Sequence, residues 1–73
     1  MEVDLLIHTA HGWIGVQVKN RECVDRNNAR ALRTVGAELG AEWLGGLVVH
    51  RGTRLHTIDE EARLWAVPIH RSV

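Results

Sequence analysis

The sequence predicts one small α/β domain, a mixed β-sheet with a single helix on one face, in the order β-β-α-β-β. Three observations predict it. Two stretches with apolar residues at alternate positions flank a glycine-containing break near the N-terminus. A helical repeat of apolar residues then follows an aspartate suited to cap it. Two short apolar runs complete the chain, one after a glycine pair and one ahead of a proline.

Val3 to Thr9 reads as the first strand, with Val3, Leu5 and Ile7 on one face and Glu2, Asp4, Leu6 and His8 on the other. Ala10-His11-Gly12 is the break, with glycine where a turn needs it. Trp13 to Lys19 is the second strand. Ile14, Val16 and Val18 share one of its faces, and Trp13, Gly15, Gln17 and Lys19 share the other. Asn20 to Val24 is a polar loop, and Asp25 caps a helix running from about Arg26 to Leu39. Ala29, Leu32, Val35, Gly36 and Leu39 give that helix its apolar face, with Arg26, Arg30 and Arg33 opposite. Gly40 is placed to end it. Gly45-Gly46 precedes a buried strand, Leu47 to His50, and Arg51-Gly52-Thr53 turns the chain. Asp59-Glu60-Glu61 reads as a solvated loop or short helical turn, and Leu64 to Val67 is the last strand, stopped by Pro68. The unit from Trp13 to His50 predicts a right-handed crossover between parallel strands. The uncovered face is expected to carry Leu6 and Trp13 beside polar residues.

A length of 73 residues implies a single domain spanning 1–73. A chain this small buries only about 60–65% of its unfolded surface, so its core is thin and a homo-oligomer is expected. A hydrophobic content of 45% is normal for a globular protein and argues against disorder. No apolar run approaches the ~18 residues of a membrane-spanning helix, so no membrane partner is expected. The Met-Glu-Val-Asp start lacks the basic-then-apolar pattern of a secretory signal. The single cysteine, Cys23, forms no internal disulfide and fits a reducing cytoplasm. Formal net charge is zero, so no global basic field announces a nucleic acid. Of the nine basic residues, the one lysine is Lys19, at the end of Gln17-Val18-Lys19; a coding bias toward arginine explains the ratio equally well.

Asp4, Gln17 and Lys19 are the candidate chemical residues. On a hairpin turning near His11, Asp4 falls opposite the stretch from Gln17 to Lys19, and residues two apart leave a strand on the same face. A carboxylate, an amide oxygen and an ammonium then converge. Hard cations such as Mg²⁺ take oxygen ligands, polarise phosphates and activate water, and a lysine stabilises charge developing on a phosphate. The structural alternative is that charges at a strand edge guard against edge-to-edge pairing.

The stretch from Glu2 to Ile7, the glycine turn and Ile14-Gly15-Val16-Gln17-Val18-Lys19-Asn20 together resemble the hairpin of the PD-(D/E)xK nuclease superfamily. The whole chain is similar to a narrower family, the C-terminal domain of unassigned function that follows the P-loop module in many prokaryotic AAA-type ATPases. The ordered matches are Glu2-Val3-Asp4, Gln17-Val18-Lys19, Ala31-Leu32-Arg33, Leu47 to Gly52, and Leu64-Trp65-Ala66-Val67-Pro68. The resemblance implies a restriction-endonuclease-like core lacking the first helix, and Mg²⁺- or Mn²⁺-dependent hydrolysis of DNA phosphodiesters. It assigns Asp4 and Gln17 as metal ligands, the Val18 backbone carbonyl as a third oxygen, Lys19 as the catalytic lysine and Glu2 as an auxiliary acid. Gln17 stands where the superfamily usually has an acid, and no Gly-x-x-x-x-Gly-Lys-Ser/Thr is present, so the chain reads as a fragment or a minimal relative. The alternative function is a non-catalytic interaction or dimerisation module of a DNA-associated or ATPase-linked protein.

Trp13 is a candidate for stacking on a base, and Arg26, Arg30 and Arg33 for contacting phosphates. Packing against a partner and an ordinary solvated helix face are the respective alternatives. Five histidines are many for this length, but no cysteine pair supports a zinc site. Trp43 and Trp65 are expected as core or interface anchors.

Overall fold

In the computed structural model, which describes residues 3–69, five strands form one sheet. The elements are β1 (Leu5–Thr9), β2 (Gly12–Val18), α1 (Arg30–Leu39), β3 (Trp43–His50), β4 (His56–Asp59) and β5 (Leu64–Pro68), with 3₁₀ turns at Arg26–Ala29 and Gly40–Glu42 on either side of α1. The sheet order is β1-β2-β3-β5-β4. β1 pairs antiparallel with β2, β2–β3 and β3–β5 are parallel, and β4 closes the far edge antiparallel to β5. The mixed sheet and the helix between parallel strands match the sequence reading. No helix among the described residues is long and apolar enough to cross a membrane.

Local chemistry explains the boundaries. The Thr9 hydroxyl donates to the Gly12 carbonyl and accepts from the His11 and Gly12 amides, which closes the β1–β2 turn. Asp25 accepts from the Asn27 and Asn28 amides, and the Asn28 side chain accepts from the Asp25 amide in return. This reciprocal cap starts the helical segment at the expected residue, though its first turn is 3₁₀. Gly40, at φ 58°, ends α1 in a conformation other residues resist.

Three features depart from the sequence reading. The first is β4, a fifth strand, over residues the sequence reading left unassigned except for Asp59, which it gave to a loop or short helical turn. It has four residues, only one of them a large apolar side chain (Ile58), and it pairs on one side only, so it leaves little hydrophobic pattern. The second is β3, which starts at Trp43 and runs through the glycine pair rather than after it. A bulge sits there: Trp13 faces Trp43 while Ile14 faces Gly45, leaving Leu44 as the extra residue. The bulge shifts the phase of the strand, so Trp43 and then Gly46, Val48 and His50 are all buried toward the helix. The third is Pro68, which lies within β5 as its last residue and is fully buried.

The largest correction concerns which sheet face α1 covers. The helix packs on the face of Leu6, Gly15 and Gln17, not on that of Ile14, Val16 and Val18. A Cβ on Gly15 would lie 2.7 Å from a Leu32 methyl and 2.9 Å from the Trp43 ring, and one on Gly36 of α1 would lie 2.8 Å from the Trp43 indole. Glycines thus open the space that Leu32 and Trp43 fill. A pattern that counts apolar side chains along β2 cannot see a face whose bulk comes from other elements. Trp43, Leu32, Val48 and Leu64 form the core there, and the Trp43 indole N–H donates to the Ala62 carbonyl at 2.8 Å. The opposite face keeps Leu5 and Ile7 of β1, Ile14, Val16 and Val18 of β2, Leu47 and Val49 of β3, and Trp65 and Val67 of β5, all partly or largely exposed.

Candidate functional site

The strand register gathers the candidate residues at one corner of the sheet, where β1 begins and β2 ends. The ladder between these strands is regular from Thr9–Gly12 to Leu5–Val16. Asp4 then bends away, its amide donating to the Val16 carbonyl at 3.1 Å. The next amide of β2 facing β1 belongs to Val18 and has no strand carbonyl opposite. The Asp4 carboxylate accepts it instead, at 2.7 Å. One oxygen of Asp4 is therefore fixed on the backbone between Gln17 and Lys19, and this charge-assisted bond also ends the hairpin. A residue's N–H and C=O leave a strand on the same side, so the Val18 carbonyl points toward β1 as well.

Gln17 lies opposite Val48 on the helix side, 2% exposed, and its side-chain oxygen is buried without a hydrogen-bond partner. Lys19 follows β2. Its amide donates to the Val49 carbonyl at 2.8 Å and its carbonyl accepts from the Arg21 amide at 2.9 Å. The backbone of Lys19 is thereby tied to β3 while its side chain makes no ion pair among the described residues. Glu2, the auxiliary acid of the sequence reading, lies outside the described residues.

The corner therefore ties the Asp4 carboxylate to the backbone of Val18, has the partly exposed Lys19 next along the chain, and seals Gln17 inside. Among the described residues no three His, Cys, Asp or Glu side chains cluster as a metal site. As it stands the corner presents one carboxylate and one backbone carbonyl, with the Gln17 amide oxygen sealed on the helix side. That set suits a hard cation that keeps waters or takes phosphate oxygens, and it is poor as a self-sufficient cage. The unpartnered Gln17 oxygen is the feature that fits a cation best, because a buried acceptor with no donor costs about 1–3 kcal/mol. Gln17→Met is accordingly expected to raise the unfolding free energy by about 1 kcal/mol, or about 4–8 °C in Tm. A thermal melt showing lower stability would mean that this oxygen is satisfied in solution.

Other candidates fall elsewhere. Trp13 sits four residues from Gln17, about 13 Å along β2, so it does not lie beside the corner. It stacks on His8, with ring centroids 4.1 Å apart and planes 16° apart. The arginine stripe is divided. Arg26 pairs with Asp59 at 3.1 Å, Arg33 donates to the Arg26 carbonyl at 3.1 Å, and only Arg30 stands exposed without a contact of this kind.

The sequence reading missed a second polar locus. A cleft of about 530 Å³ opens at the carboxyl ends of β2 and β3, between the loops that follow them, lined by Cys23, Arg51, Arg54 and His56 among others. Carboxyl ends of parallel strands are where open α/β sheets usually present ligand sites. The buried His50 organises its rim: Nδ1 accepts the Gly52 amide at 2.9 Å, which leaves the proton on Nε2 to be donated to the Arg54 carbonyl at 3.1 Å. A histidine followed by Arg-Gly at a strand end was the available signal.

Comparison with known proteins returns no match to a family model, a curated protein or a solved structure. The fold is a small mixed α/β domain that carries the Asp4 carboxylate at a corner of its sheet.

Proposed function

We propose that this domain is a nuclease-like module that takes a DNA phosphodiester at the Asp4–Gln17–Lys19 corner, with Mg²⁺ or Mn²⁺ entering together with the substrate. The observation that carries this reading is the Asp4 carboxylate held 2.7 Å from the Val18 amide, between Gln17 and Lys19 in sequence. The second Asp4 oxygen and the Val18 carbonyl would hold the cation, with Gln17 joining after its side chain turns outward. Substrate phosphates complete magnesium sites that have few carboxylates, so binding of metal and DNA is coupled. A cation there would polarise the phosphate and acidify a water. The chain's own contribution is twofold: Asp4 fixes the strand end that presents the carbonyl, and the Lys19 ammonium offsets charge building on the phosphate oxygens.

A second reading rests on a specific observation. Gln17 is sealed on the helix side and offers no ligand oxygen as it stands, which suits a non-catalytic interaction module of a DNA-associated or ATPase-linked protein. Nicking of supercoiled plasmid with Mg²⁺ or Mn²⁺ separates the two. Wild type is expected to nick and Asp4→Asn, which keeps an oxygen for the Val18 amide but loses the charge, is expected not to. Absence of cleavage on single-stranded, duplex and branched DNA alike would leave the interaction module.

A further inference from the structure

We propose that the open sheet face is the contact surface of a homodimer, a second copy of this chain packing on it sheet against sheet. The face is apolar and uncovered. Leu5 is 54% exposed, Ile7 40%, Val18 55% and Trp65 37%, with Val16 of β2 and Leu47 of β3 between them. No ionisable side chain shares their pleat position along β1, β2, β3 or β5, so burial strands no charge. The one α-helix among the described residues lies on the other side of the sheet. An apolar patch of this extent on a soluble domain marks a contact surface.

A second copy is the occupant that the size, charge and shape of the face favour. Five strands about 4.8 Å apart and five to six residues long give roughly 450 Å² in projection on each side. Accessible area over corrugated side chains exceeds the projection, so the pair reaches the ~1,000 Å² expected of a specific interface. Formal net charge is zero, so two copies meet without mutual repulsion. A mainly apolar surface, with Thr57 its contribution from β4, is its own complement, as a twofold contact requires. Sheets packed face to face interdigitate their inner side chains at about 10 Å. The shallow apolar hollow beside Trp65, about 160 Å³ in volume, offers such a socket. Gln17 belongs to the opposite pleat face and Asp4 bonds the Val18 amide at the sheet edge, so a dimer leaves both corners open.

Sedimentation equilibrium on the intact chain tests this, run with reductant because Cys23 is exposed and free. The expected particle is twice 8.2 kDa at micromolar concentration. Val16→Arg is expected to sediment as monomer with an unchanged far-UV circular dichroism spectrum. If that variant fails to fold, Trp65→Ala, on the open face of β5 between β3 and β4, must weaken the dimer at least about tenfold. A wild-type chain that stays at 8.2 kDa up to about 100 µM overturns the proposal and gives the face to a different occupant. A dimer whose affinity Trp65→Ala leaves unchanged also overturns it, because the contact then lies on another surface.

Discussion

Trp43→Ala is expected to lower the unfolding free energy by about 3–5 kcal/mol, a large share of the ~5–15 kcal/mol typical of a native domain. Trp43 is 3% exposed and fills the space that Gly15, Gly36 and Gly46 leave open between sheet and helix. Its indole N–H also satisfies the Ala62 carbonyl, tying β3 to the β4–β5 turn. Truncation removes the packing, opens a cavity no neighbour can reach across, and orphans that carbonyl. Trp13→Ala serves as the contrast: Trp13 is half-buried and stacks only on His8, so its loss should cost about 1 kcal/mol. Urea unfolding followed by circular dichroism reads both. Equal losses for the two tryptophans would be incompatible with a core built on Trp43.

Lys19→Ala is expected to reduce the nicking rate by about 10²–10³-fold while leaving the melting temperature nearly unchanged. The separation is possible because Lys19 holds the fold through its backbone, by hydrogen bonds to Val49 and Arg21 that alanine keeps. Arg30→Ala, an exposed helix position, should change the rate only slightly and mainly at low salt. Single-turnover nicking at matched protein concentration measures both effects. If Lys19→Ala nicked as fast as wild type, the lysine would have no part in the chemistry.

The fold was legible where local chemistry decides it. Asp25 reads as a cap because its side chain serves the amides two and three residues on, and Gly40 as a stop because of its positive φ. The hairpin register, which sets Asp4 against the end of β2, follows from alternation and a short turn. The covered face was not legible. Ile14, Val16 and Val18 look like core positions, yet the core is built over Gly15 and Gly46 by Leu32 and Trp43, which are remote in sequence. The bulge at Leu44 was hidden for the same reason, since it exists only against Trp13 and Ile14 of a neighbouring strand. At the site, Asp4 could be read as a carboxylate opposite Gln17 to Lys19, but not as the acceptor for Val18. The burial of Gln17 depends on Val48 and the covering helix, and no spacing along β2 announces it.

The most direct test of the corner as a phosphodiester site is paramagnetic line broadening by Mn²⁺, with a nuclease-resistant phosphorothioate duplex present. Amide resonances of Asp4, Val18 and Lys19 are expected to broaden first, and only when DNA and Mn²⁺ are both added. Broadening that is absent at these residues, or confined to the cleft near Cys23 and His56, would contradict the site.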